Sequence, residues 1–214
     1  MKGLLKNNLY ATIPNAKVFS IFMFLSGVFV VAVTSQQLVI GYMMVGIIGF
    51  SINAMVVFKN EFVSKWGKYK LTAPVKRVDI VKSYFINMII WLFVGMLFAG
   101  TALGLSWLLH GCPFDLPTDI LTLFALGISM SLFMGAIFFP LFCLSSVEKS
   151  DVFLIITFLC ALVIDLVIVT TINELLEPGM YITLLGAGVL LACSLFAYFI
   201  SYPITTAIFR QKEY

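Results

Sequence analysis

Long apolar runs separated by short polar breaks dominate the chain. Six of them are long enough to cross about 30 Å of hydrocarbon as helices, which takes about 20 residues at 1.5 Å each: Val18 to Thr34, Leu38 to Phe58, Phe85 to Leu109, Ile120 to Leu144, Val152 to Ile172 and Met180 to Ser201. The breaks fall at Ser35 to Gln37, Lys59 to Lys82, His110 to Asp119, Ser145 to Asp151 and Asn173 to Gly179. Outer-membrane strands would alternate apolar and polar positions over about 10 residues. These runs are continuous, so the pattern predicts an all-α polytopic membrane protein with six transmembrane helices. Nothing outside them is large enough for a second domain.

Composition closes off the other classes. Of 214 residues, 62% are hydrophobic and 11% charged, against about 45–50% and about 25% in a soluble domain. Charge that scarce cannot cover a soluble surface, which excludes a soluble enzyme, a nucleic-acid-binding domain and a disordered tail. The thirteen basic residues then orient the spans. Lys2, Lys6 and Lys17 precede the first span, and Lys59, Lys65, Lys68, Lys70, Lys76, Arg77 and Lys82 fill the second connection. Lys149 lies in the fourth connection, and Arg210 and Lys212 in the tail. The alternate connections carry only Asp115, Asp119, Glu174 and Glu177. Short loops with this asymmetry place both termini in the cytoplasm.

The first residues are not a secretion signal, because Asn7, Asn8, Pro14, Asn15 and Lys17 interrupt the apolar stretch and no small-residue cleavage site follows. Leu4, Leu5, Leu9, Tyr10 and Ile13 with basic neighbours instead predict an interfacial helix over 1–17, with Pro14 marking a bend into the membrane.

Chemistry is sparse. His110 is the sole histidine, and no HExxH, GxSxG, GxxxxGK[ST] or intraspan acid pair is present, so neither hydrolysis nor P-loop nucleotide binding is expected of this chain. The four cysteines have no metal or disulfide spacing; Cys143, Cys160 and Cys193 read as apolar packing and Cys112 as an isolated thiol. Small residues at helix-contact spacing, Gly100 with Gly104, Gly127-Ser131-Gly135, and Gly41, Gly46 and Gly49, predict close helix contacts. Asp165 is the one ionisable residue well inside a span, roughly 20 Å from its cytoplasmic end at 1.5 Å per residue. It is either a substrate or proton contact facing the bundle interior, or a carboxyl near the outer headgroups or hydrogen-bonded to a hydroxyl of the Thr170 kind on a neighbour.

The second connection is the most informative stretch. From Glu61 to Tyr69 a helix would put Phe62, Val63, Trp66 and Tyr69 on one face and Glu61, Ser64, Lys65 and Lys68 on the other. Leu71 to Pro74 breaks it, and Val75 to Tyr84 rises into the third span. Such a helix could lie on anionic lipid through its lysines, or dock a cytoplasmic partner.

The order Glu61-x4-Trp66-x2-Tyr69-x-Leu71-x2-Pro74-Val75-x-Arg77-x-Asp79-Ile80-Val81 resembles the signature of small six-span ABC-2-type transporter permeases of bacteria. These include the permeases of peptide exporters and bacteriocin-immunity systems, the staphylococcal phenol-soluble-modulin exporters among them. Pro140 followed by Glu148-Lys149, and Ser201 with the Lys212-Glu213 ending, are weaker echoes. Lys76 departs from the usual Ser before the Arg and cannot cap the rising helix.

The resemblance implies one transmembrane domain over 1–214 in the bacterial plasma membrane. Its coupling region over 59–84 would seat Glu61, Trp66, Tyr69, Pro74, Arg77 and Asp79 on a separate ATP-binding-cassette subunit, with Glu148 and Lys149 as a second contact. ATP and Mg would be bound by that subunit, and no cofactor by this chain. A second copy or a related permease would complete the pathway in membrane lipid, and an amphipathic or hydrophobic substrate, a peptide above all, would be exported. Two other classes remain open: an ion-coupled carrier using Asp165, for which no internal repeat is evident, and a non-transporting immunity or sensor protein.

Overall fold

The computed structural model describes residues 2–33, 35–63, 76–114, 116–144, 150–175 and 180–211. Six helices make up the fold: α1 Lys2–Val33, α2 Gln36–Val63, α3 Arg77–His110, α4 Pro117–Leu144, α5 Ser150–Leu175 and α6 Met180–Gln211. All six are long and apolar enough to cross a membrane, and the described residues contain no strand. The protein is therefore a multi-pass membrane protein.

The helices form two packed groups. Buried side chains of α1, α2 and α3 make one core around Met23, Met43, Ile47 and Phe50. A second core holds Met55, Phe58, Tyr84, Phe85, Met88, Phe138, Phe139 and Tyr198, from α2, α3, α4 and α6. α4 packs most extensively on α6 and α2 on α3, whereas α5 rests mainly against α4. Oily residues cover the outside, among them Phe22, Phe24 and Phe29 of α1 and Leu159, Val163 and Leu166 of α5. A soluble bundle would bury such side chains; here they face the lipid or a partner.

Lipid is as apolar as the helix surfaces, so close backbone approach has to supply the contact. α2 and α3 meet at Gly46 and Gly95. A Cβ on Gly95 would lie 2.7 Å from the Gly46 carbonyl oxygen and 2.9 Å from the Ile47 Cα. Both atoms are backbone and cannot turn aside. Beside this point the ring of Phe50 stacks on Trp91, centroids 6.0 Å apart. Gly95→Ala is therefore expected to lower stability by about 1–3 kcal/mol through overpacking, seen as a lower thermal midpoint in detergent. Gly104→Ala is its control, since a Cβ there meets nothing within 4 Å.

This packing bears on three expectations. Residues 2–17 are continuous with the first span in one helix: α1 runs from Lys2 to Val33 with Pro14 inside it. Asn8, Thr12 and Ala16, spaced one turn apart, are buried, so this stretch is held by protein rather than laid out as a separate helix. Gly100, Gly104 and Gly41 make no close helix contact, whereas Gly46, Gly49, Gly127 and Gly135 do. Of the cysteines expected in apolar packing only Cys143 is buried; Cys160 and Cys193 lie exposed on the outer helix surfaces, as does Cys112 beyond α3.

Length explains the behaviour of residues 2–17. α3 has 34 residues and so measures about 51 Å, well beyond about 30 Å of hydrocarbon. α1 and α6 have 32 each. The excess gathers at the end of the bundle that carries Lys2, Lys59, Arg77 and Arg210, called here the basic end. The opposite end carries His110, Asp119 and Glu174.

Candidate functional site

The basic end is where α2 stops and α3 begins, so it holds both roots of the connection to which the family resemblance assigns a partner-docking role. α2 continues through Glu61 to Val63, and α3 starts at Arg77 after Lys76 in an extended conformation (φ −68°, ψ 133°) with no side-chain cap. Asp79 compensates, half-buried in the first turn of α3, where a carboxylate favours the helix dipole.

Glu61 is the centre of the site. It is 7% exposed, a depth at which a carboxylate requires hydrogen-bond donors. The Tyr84 hydroxyl of α3 donates to its Oε2, and the Asn7 amide of α1 donates to Oε1 at 3.1 Å. One carboxylate thereby ties three helices together. Two further bonds continue the seam between α1 and α3: Asn8 Nδ2 donates to Ser83 Oγ at 2.8 Å, and Asn87 Nδ2 to Thr12 Oγ1 at 3.2 Å. Asn8 and Thr12 on α1 and their partners Ser83 and Asn87 on α3 are each four residues apart, which keeps them on facing stripes.

An aromatic knot backs this seam. The Phe58 ring meets Tyr84 edge-on with centroids 4.5 Å apart and contacts Phe138, Phe139 and Phe142 at 5.2–6.2 Å. Phe85 packs on Phe139 and Tyr198 at 4.5 and 5.0 Å. Each such pair contributes about 0.5–1.5 kcal/mol beyond the area it buries. Tyr198 donates its hydroxyl to the Phe85 carbonyl at 2.9 Å, and Ser201 donates to the Ala136 carbonyl at 2.7 Å. The α2–α3 roots are thus packed and hydrogen-bonded against α1, α4 and α6.

Two polar ties lie on the surface of this end. Arg77 Nη1 donates to the Arg210 carbonyl at 2.8 Å, closing a free carbonyl in the last turn of α6. Lys59 pairs with Asp151, joining the end of α2 to the start of α5.

Among the residues singled out by sequence, Glu61, Arg77 and Asp79 lie together at the roots, while Trp66, Tyr69, Pro74, Glu148 and Lys149 fall outside the described residues. Asp165 is elsewhere, 7% exposed at the α4–α5 contact, with Ser129 Oγ donating to its Oδ2 at 3.3 Å. Its partner is a serine on α4; Thr170 instead bonds the carbonyls of Leu166 and Val167 within α5. Sequence reading missed Asn7, Asn8, Thr12 and Tyr84. The polar positions 8 and 12 with Ala16, one turn apart on an otherwise oily helix, were the available signal. Among the described residues no group of His, Cys, Asp and Glu could hold a metal ion.

The family model for ABC-2 family transporter proteins matches residues 3–210, nearly the whole chain. The chain belongs to the ABC-2 transporter family. No curated protein and no solved structure gave a significant match. Permeases of this family are the membrane components of ABC transporters and work with an ATPase partner. The polar seam and aromatic knot of this permease therefore sit at the roots of the connection that the family resemblance assigns to that partner.

Proposed function

We propose that this permease is the membrane half of an ATP-driven exporter of amphipathic or hydrophobic substrates, peptides above all. ATP and Mg bind to a separate ATP-binding-cassette subunit, and two permease chains, identical or related, enclose the pathway. The observation that carries the coupling is the three-helix tie at Glu61, the first residue of the motif that runs through Trp66 and Tyr69 to Arg77. Closure of the ATPase pair would displace this connection. A flexible root would absorb the movement; a root tied by Glu61, Asn7 and Tyr84 and backed by Phe58 passes it into α1 and α3 together. The exposed apolar faces of α1 and α5 offer surface for a second chain.

Coupling also requires the basic end to face the cytoplasm. Cys112, exposed beyond α3 at the opposite end, should then react in intact cells with a membrane-impermeant thiol reagent. Reaction only after the cells are opened would reverse the orientation and remove the docking site from the compartment that holds ATP. The test of the function itself is capture of the intact permease from its own membrane. Recovery of an ATP-binding-cassette ATPase supports the reading, and a capture without one opposes it.

A further inference from the structure

Toward the opposite end, α4, α5 and α6 enclose a cleft of about 260 Å³ whose lining is mainly apolar, with Leu126, Val169 and Leu190 on its walls and Thr122, Asn173 and Thr183 as polar groups. The Asp165–Ser129 pair lies just beyond its inner end. Val169, one turn from Asp165 on the same face of α5, lines the cleft, and so does Ala125, one turn from Ser129 on α4. Leu126, which also lines it, gives its carbonyl to the Ser129 hydroxyl at 2.9 Å.

The register of α6 adds a third polar group at this level. Ser201 bonds to Ala136, and about two helical turns earlier on each of these two helices lie Ser194 and Ser129. Ser194 is fully buried. Asp165 is thus a carboxyl that is 7% exposed, with Oδ1 buried and lacking any hydrogen-bond partner. A buried carboxyl oxygen without a donor costs about 1–3 kcal/mol or more, and nothing in the packing of α4 on α5 requires an acid there.

Charge complementarity decides which ligand would use it. The cleft mouth lies beside further acids: Asp119 is one turn from Thr122, and Glu174 adjoins Asn173. Every described Lys and Arg lies in α1, at the basic ends of α2 and α6, or at the start of α3. An anionic ligand would meet repulsion at the mouth and no counter-charge within.

We propose that the α4–α5–α6 cleft is a substrate subsite for an apolar segment bearing a cationic group, with Asp165 as its counter-charge. The inference rests on the permease reading and narrows its substrate class to cationic amphipaths.

The test uses the full permease in zwitterionic-lipid nanodiscs without any ATPase, so that its failure leaves the transporter assignment standing. Radiolabelled decylammonium, whose head carries both the charge and N–H donors, is the cationic probe and decanol its uncharged counterpart, each corrected for empty nanodiscs. Saturable binding of the cation is expected, weakened about tenfold or more by Asp165→Asn and retained by Asp165→Glu, as for loss of one charge-assisted contact. Decanol binding should not change in Asp165→Asn. Gly186→Leu, which extends a side chain from the cleft wall, should weaken both probes. Absence of saturable binding, equal affinity in wild type and Asp165→Asn, or an equal loss of both probes in Asp165→Asn would each overturn the proposal.

Discussion

Glu61→Ala is expected to destabilise the permease by about 2–4 kcal/mol and to separate ATP hydrolysis from transport in whatever protein remains folded. The stability part follows from the Asn7 amide and the Tyr84 hydroxyl, which both donate to the carboxylate: hydrogen bonds to a charged group contribute about 1.5–3 kcal/mol each, and Glu61→Ala removes both. Glu61→Gln keeps one acceptor oxygen and should fall between wild type and Glu61→Ala in thermal midpoint. A double-mutant cycle with Tyr84→Phe isolates the tie itself, and a coupling energy of about 1 kcal/mol or more is expected for residues in direct contact. The functional part follows from geometry, because Glu61 holds α1 to the same point at which α2 and α3 meet. Glu61→Ala within about 0.5 kcal/mol of wild type, the range of ordinary surface changes, would show that the aromatic knot and the Asn8–Ser83 and Asn87–Thr12 bonds hold the three helices without the Glu61 tie.

Trp66→Ala should be the most damaging change within the docking region, lowering association with the ATPase by about 2 kcal/mol, roughly 30-fold. Buried aromatics and arginines dominate interface energetics, and Trp66, Tyr69 and Arg77 are the residues of that kind in the motif. Replacing Lys65 and Lys68 together by Gln should matter little, since exposed charges contribute little individually. Arg77→Ala is a less direct probe, because Arg77 also binds the last turn of α6 through the Arg210 carbonyl; its loss loosens that helix end as well as any interface. ATPase capture by each variant gives the readout. A requirement for the lysine pair combined with dispensable Trp66 and Tyr69 would identify a lipid-surface helix.

Hydropathy alone makes the six helices legible, and four of them begin within a few residues of the predicted spans. α1 and α3 are the exceptions: the apolar pattern marks their membrane-crossing parts from Val18 and Phe85, whereas the helices start at Lys2 and Arg77, the latter close to the rising segment expected from Val75. A hydropathy window marks the portion inside hydrocarbon, and residues 2–17 continue the helix beyond it. Their polar side chains at 8 and 12 were legible as a stripe, but choosing between water and a neighbouring helix as their partner requires the positions of Ser83 and Asn87, some 75 residues away. Glu61 and Arg77 were legible as motif residues, though only as contacts to another subunit. The contacts of Glu61 with Asn7 and Tyr84, and of Arg77 with α6, depend on which helices become neighbours, and the linear pattern of an oily chain carries little of that. Asp165 is legible as an anomaly from composition alone, and Ser129 as its partner is not, because serines are common on every helix of this bundle.

The central claim, that this chain is one half of an ATP-driven machine, is tested most directly by the composition and ATP hydrolysis of the complex captured on intact permease from its own membrane. The expected result is an ATP-binding-cassette ATPase in equal number to permease chains, active in hydrolysis, and lost from the capture by Trp66→Ala. Permease recovered without such a subunit, yet moving its substrate down an imposed proton or sodium gradient in an Asp165-dependent manner, would contradict it.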